Sequence, residues 1–268
     1  MLAPKYCIVR HEFIFANYAN SRYWCKKIRA WLYIIFLPTY HIPCQLAIKK
    51  DIIKGHMIDL VQKRQHRAEK TAWLLQLVPF IKFIGLTGSL AYDMAKESSD
   101  IDIFIISQDK RIWTSRFFVF LLLSMAGILR KDESSKLRAG KICPNRFVTE
   151  KYLIINPQNR YHAQDYSQMK PLYDCNGMYQ RFLEANKWMQ KFGYTPPKRA
   201  IALVQSGGIL SRIRDIVEWV LSGPLGDSFE DWSRSYQVKT IKKIPQFNKF
   251  DSGIYVDDNE IRIHTHPR

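Results

Sequence analysis

The chain has 268 residues, 47% of them apolar or aromatic and 24% charged. That composition excludes disordered, collagen-like and low-complexity architectures and leaves one large domain or two small ones. Forty-one Lys and Arg against 24 Asp and Glu give a formal charge of +17, which calls for nucleic acid, nucleotide phosphates, an acidic partner or an anionic membrane surface.

More than half of that charge lies in the N-terminal quarter, where residues 1 to 75 hold 13 basic and 4 acidic side chains. Arg22, Tyr23, Trp24, Lys26, Lys27, Arg29 and Trp31 alternate bases with aromatics. Either a phosphate-binding face with stacking side chains or a solvated helix with an aromatic inner side produces that pattern.

In chain order, apolar recurrence at three and four predicts helices over 17–36 and 47–78, the second ending before Pro79. Phe80, Ile81, Phe83, Ile84 and Leu86 predict a strand ended by Thr87-Gly88-Ser89, and Leu90 to Lys96 a helical turn. Asp100 to Ile106 predicts a second strand, polar first and apolar later. Arg111 to Arg130 predicts a helix whose apolar stretch, Phe117 to Leu129, is too short for a membrane span of about 20 residues. A polar loop follows, then strands over Lys141 to Thr149 and Tyr152 to Asn156. Helices over Gly177 to Phe192, Ile209 to Leu221 and Ser228 to Lys243 and a short strand over Asn259 to His264 complete the chain.

This order predicts an α/β (α+β) fold with a small mixed sheet. The core falls at 79–165, between a basic helical N-terminal region at 1–78 and a helical C-terminal region with an extended tail at 166–268. Five cysteines without a CxxC pair exclude a zinc motif and a disulfide framework. With no secretory signal in the first 25 residues, the expectation is a cytoplasmic protein with free thiols and no membrane insertion. His264 and His266 have a metal-ligand spacing but fall in the tail.

Asp100 and Asp102, two apart on a strand, project to one face about 7 Å apart at the backbone. Two such carboxylates repel each other unless a cation lies between them, and hard oxygen donors suit Mg²⁺, with Mn²⁺ as the alternative. Gly88 lets the backbone approach a ligand closely, the N–H groups of a following helix start donate to phosphate oxygens, and the Ser89 hydroxyl adds a donor. The two halves together predict a site for a magnesium-bound triphosphate.

Thr87-Gly88-Ser89 followed by Ser99-Asp100-Ile101-Asp102 resembles the signature of the polymerase-beta-like nucleotidyltransferase superfamily: apolar strand, Gly-Ser, helix, Asp-apolar-Asp strand. The resemblance covers residues 80 to 106. Looser similarity at Arg111-Ile112-Trp113, Lys141 to Asn145 and Tyr161-His162-Ala163 is to a bacterial branch with no assigned acceptor.

The resemblance implies transfer of a nucleoside monophosphate from an NTP, usually ATP, to an RNA, protein or small-molecule hydroxyl, with release of pyrophosphate. Thr87, Gly88 and Ser89 would bind the nucleotide, and Asp100 and Asp102 would be catalytic and ligate the metals. Arg111 and Lys141 flank the predicted strands, as nucleotide-binding clamps or as surface charges.

The superfamily usually places a third carboxylate on a later strand. Here Lys141 to Thr149 has no acidic residue, Glu150 lies at its end, and Asn145 stands where a ligand is expected. Either Glu150 serves, or two carboxylates suffice, or the chain binds nucleotide without fast transfer. The alternatives are therefore a weak or inactive module binding RNA or a protein, or a toxin–antitoxin or defence component. The basic N-terminal region favours RNA or another polyanion as partner.

Overall fold

The two apolar runs that flank Gly88-Ser89 and the Asp pair become neighbouring strands of one sheet. The computed structural model describes residues 41–130, 139–196, 203–204, 208–245, 247 and 253–263, with side chains described from residue 57 onward. The helix predicted over 17–36 lies outside the described residues. The chain divides into two units, Met1–Lys54 and Gly55–Arg268, and the second holds the sheet.

Helix α1 (His41–Leu75) precedes strand β1 (Ile81–Thr87), the short helix α2 (Gly88–Ala91) and strand β2 (Ile101–Ser107). Helix α3 (Ile112–Met125), strand β3 (Ile142–Thr149), helix α4 (Arg160–Ser167), strand β4 (Lys170–Asp174) and helix α5 (Met178–Ala185) follow. A 3₁₀ turn (Lys187–Phe192), helices α6 (Ile209–Val220) and α7 (Pro224–Ile241), and strands β5 (Tyr255–Val256) and β6 (Glu260–Arg262) complete the order.

The sheet runs β4-β1-β2-β3-β6-β5. β2 is antiparallel to β1, with Thr87 opposite Asp102, and parallel to β3, with Asp102 beside Cys143. The other pairings are antiparallel. The family-like mixed sheet expected from the sequence is thus present, with outer strands drawn from beyond residue 165.

Alternation along β2 sorts the core onto two faces. Ile101, Ile103 and Ile105 pack with Ala68, Ala72 and Leu75 of α1, Trp113, Val119 and Leu123 of α3 and Ile241 of α7. Phe104 and Ile106 point the other way, towards Ala163 and Tyr166 of α4, Phe182 of α5 and Trp188. Asp102 shares the parity of Phe104, so it faces the α4 side.

Two expectations are corrected. Tyr152 to Asn156 is not a strand, because the fully buried Asn186 takes its hydrogen bonds. Asn186 accepts from the Ile155 N–H at 2.8 Å and donates to the Leu153 carbonyl at 2.7 Å. The same residue divides Gly177–Phe192 into α5 and the 3₁₀ turn. Strand β4 escaped notice because Pro171 stands inside it, which only an edge strand tolerates.

Helix α3 begins against a buried carboxylate rather than a local cap. Glu230 of α7 accepts from the Trp113 N–H at 2.9 Å and the Thr114 N–H at 2.7 Å, and burial pushes its pKa above the usual carboxylate value. Glu230→Ala leaves both amides without that acceptor, so a loss of about 1–3 kcal/mol is expected in denaturant unfolding. Among the described residues, no helix is long and apolar enough to cross a membrane.

Candidate active site

The carboxyl end of β1 and the amino ends of β2 and β3 meet at one edge of the sheet. Thr87, buried, closes β1, and Gly88 turns the chain with φ +68° into α2. An L-residue adopts that conformation at a cost, and here a side chain also has no room. A Cβ on Gly88 would collide with Asp102 Oδ2 and lie 3.2 Å from its Cγ. The glycine is what lets the turn lie directly on the Asp102 carboxylate.

Asp100, just ahead of β2, and Asp102, within it, share a face as the spacing predicts. The residue beside Asp102 on β3 is Cys143, and ligand atoms of Asp100, Asp102 and Cys143 all lie within 4.8 Å of one another. Burial and the facing carboxylates of Asp100 and Asp165 push Asp102 up to about 8. Burial, then the charge of Asp102, pushes the Cys143 thiol well up. Burial is the larger cause of both shifts; the part owed to the neighbouring carboxylates is negative potential, which favours a cation.

Besides Cys143, three residues around the candidate site escaped the sequence reading. Arg130 lies where Leu129 bridges in parallel to Ile142, and its Nη1 donates to Asp100 Oδ2 at 2.6 Å and to Cys143 Sγ at 3.9 Å. In the sequence it is only a base at a helix end. Arg64, from α1, donates to the carbonyls of Lys96 and Glu97 and so fixes the loop between Gly88-Ser89 and the Asp pair.

Asp165 of α4 is buried, and its Oδ1 accepts from the Gly88 N–H at 3.1 Å and from the Tyr92 hydroxyl at 3.4 Å. A second carboxylate facing Asp102, besides that of Asp100, thus comes from a helix rather than from the next strand. Asp165→Asn keeps an oxygen acceptor for Gly88 while removing one charge. Loss of about 1 kcal/mol of attraction corresponds to a divalent-ion affinity on the order of fivefold weaker, read from metal-dependent thermal shift.

The remaining sequence-predicted residues separate into two groups. Ser89 is partly exposed beside Gly88. Lys141 reaches the site's edge through its backbone, whose carbonyl accepts from the Ile101 N–H at 2.8 Å, but its Nζ donates to the Gly127 carbonyl at 2.6 Å.

Glu150 and Arg111 are at the opposite end of the sheet. Glu150 donates its N–H to the Ser107 carbonyl at 2.8 Å and accepts from the Asp109 N–H at 3.3 Å. Five strand steps, about 16 Å, separate Ser107 from Asp102. Arg111 lies over the Phe80 ring and pairs with Asp227 at 2.7 Å. The structure does not bring either residue to the Asp pair. His264 and His266 lie outside the described residues.

A divalent cation fits the donor set: two carboxylates and a sulfur converge, and Arg130 already stands as a cation against them. No curated protein and no solved structure matches the chain significantly. Residues 72–158 match the family model of the nucleotidyltransferase domain, a span that runs from the end of α1 through β3 and includes Gly88, Ser89, Asp100 and Asp102. The matched span is consistent with a nucleotidyltransferase domain of the polymerase-beta-like superfamily.

Proposed function

We propose that the chain transfers a nucleoside monophosphate from an NTP to an acceptor hydroxyl, releasing pyrophosphate. The observation that carries this reading is the Gly88 turn lying on the Asp102 carboxylate within the matched domain. In the reaction the acceptor oxygen bonds to the α-phosphorus, the bond from that phosphorus to the β-bridging oxygen breaks, and the acceptor proton leaves to a carboxylate or to water.

Asp100 and Asp102 would hold a divalent cation between them. Such a cation would neutralise charge on the phosphate oxygens and on the attacking oxygen. Ser89 and the backbone of the turn would bind the phosphates, and Arg130, between Asp100 and the edge of β3, would oppose the charge that develops on pyrophosphate. Asp165 now holds the Gly88 N–H that a phosphate would use, so nucleotide would have to displace that carboxylate from the turn. RNA or another polyanion is the proposed acceptor class, on the strength of the charge at residues 1 to 75.

A second reading, a nucleotide-binding module without fast transfer, is favoured by the pairing of Asp100 with Arg130. The two readings separate in one assay with α-labelled NTPs, divalent metal and total RNA or lysate. Transfer predicts a labelled macromolecule, and the module predicts retained nucleotide with no label incorporated.

A further inference from the structure

We infer that Cys143 is a third ligand of the cation site, and that the site accordingly selects a thiophilic divalent cation over Mg²⁺. This rests on the nucleotidyltransferase reading of the same site and names its metal class. Parallel register puts Cys143 beside Asp102 on the α4-facing side of the sheet. Its Sγ shares a 4.8 Å cluster with oxygens of Asp100 and Asp102. The Arg130 guanidinium at this cluster reaches both donor types at once, Asp100 Oδ2 at 2.6 Å and Cys143 Sγ at 3.9 Å. A cation held among the donors would take the place of that guanidinium.

The donor set decides the preference. Mg²⁺ demands oxygen ligands in near-octahedral geometry and gains little from sulfur. Two carboxylates and one thiolate, with positions left for substrate, are the donors of a Zn²⁺-like or Co²⁺-like centre. Coordination exchanges the S–H bond for a sulfur–metal bond, with the proton passing to solvent and no electron transferred. The thiol among the donors would make the centre poor in Mg²⁺.

The test is titration of the full-length, metal-free protein with Co²⁺, followed by absorbance. A sulfur-to-cobalt charge-transfer band in the near ultraviolet is expected. Cys143→Ser and Asp102→Asn should each abolish it, and the other four cysteines serve as the internal control in both variants. Competition should show Co²⁺ or Zn²⁺ displacing Mg²⁺, a margin that falls on the order of tenfold or more in Cys143→Ser. Cys143→Asp should move the preference back towards Mg²⁺.

Cobalt binding without a charge-transfer band, or a band that survives Cys143→Ser, overturns the sulfur ligand while leaving nucleotidyl transfer intact. Absence of any divalent binding overturns both. If Cys143→Ser fails to fold, Asp102→Asn supplies the same reading.

Discussion

Asp102→Asn is expected to yield a folded protein that transfers nucleotide on the order of 10³-fold more slowly than the wild type, or not at all. The substitution removes the charge at the centre of the site while preserving the side-chain shape. A rate loss of that size corresponds to about 4 kcal/mol of transition-state stabilisation, the scale of one missing preorganised charge contact. Stability should move the other way. Burial and two facing carboxylates make ionised Asp102 unfavourable in the metal-free fold, so its neutral replacement should melt slightly above the wild type. Divalent metal should raise the melting temperature of the wild type and not of the variant. A variant that melts early and keeps its transfer rate would remove Asp102 from the site.

Gly88→Ala is the second large effect, and it acts through space and conformation together. The left-handed backbone at φ +68° costs an alanine about 1–2 kcal/mol. The new methyl would also strike Asp102 Oδ2. The carboxylate is the movable member of that pair, so the expected outcome is a folded protein with Asp102 turned away from its partners. Misplacing a reacting group by an ångström costs about 10²-fold. Transfer should fall by at least that much, with a modest fall in melting temperature and weaker metal binding. Ser89→Ala, by contrast, removes only one hydroxyl and leaves the turn intact.

The parts of the site legible in the sequence are the local ones. Strand periodicity put Asp100 and Asp102 on one face, and a glycine after an apolar run marked the tight turn, because each depends on a few neighbouring residues. What escaped notice depends on strand pairing. A parallel β3 delivers its start, Lys141 to Cys143, to the Asp pair, whereas an antiparallel one would have delivered Glu150. Pairing direction is invisible in a single strand's pattern. Cys143 therefore looked like an ordinary free thiol and Glu150 like a ligand.

Asp165 reaches the site from α4, more than sixty residues along the chain from the Asp pair, and no period connects them. Arg130 was visible as a base beyond a helix, but only the bridge from Leu129 to Ile142 turns it inward. The helix predicted over Arg111 to Arg130 ends at Met125, and that early end frees the segment to make the bridge. Likewise, Tyr152 to Asn156 has a strand's composition, yet Asn186 satisfies its backbone from another element. Local composition gives no hint of such a partner.

The central claim is that the Gly88 turn and the Asp pair form one cation-dependent centre for nucleotidyl transfer. It is tested most directly by incubating full-length wild type and Asp102→Asn with α-labelled NTPs, in parallel Mg²⁺, Mn²⁺ and Co²⁺ series, with total RNA and cell lysate. Incorporation of label by the wild type, dependent on added metal and lost in Asp102→Asn, is the expected result. Metal-independent labelling, equal labelling by the variant, or no labelling by a wild type that binds NTP and metal would contradict it.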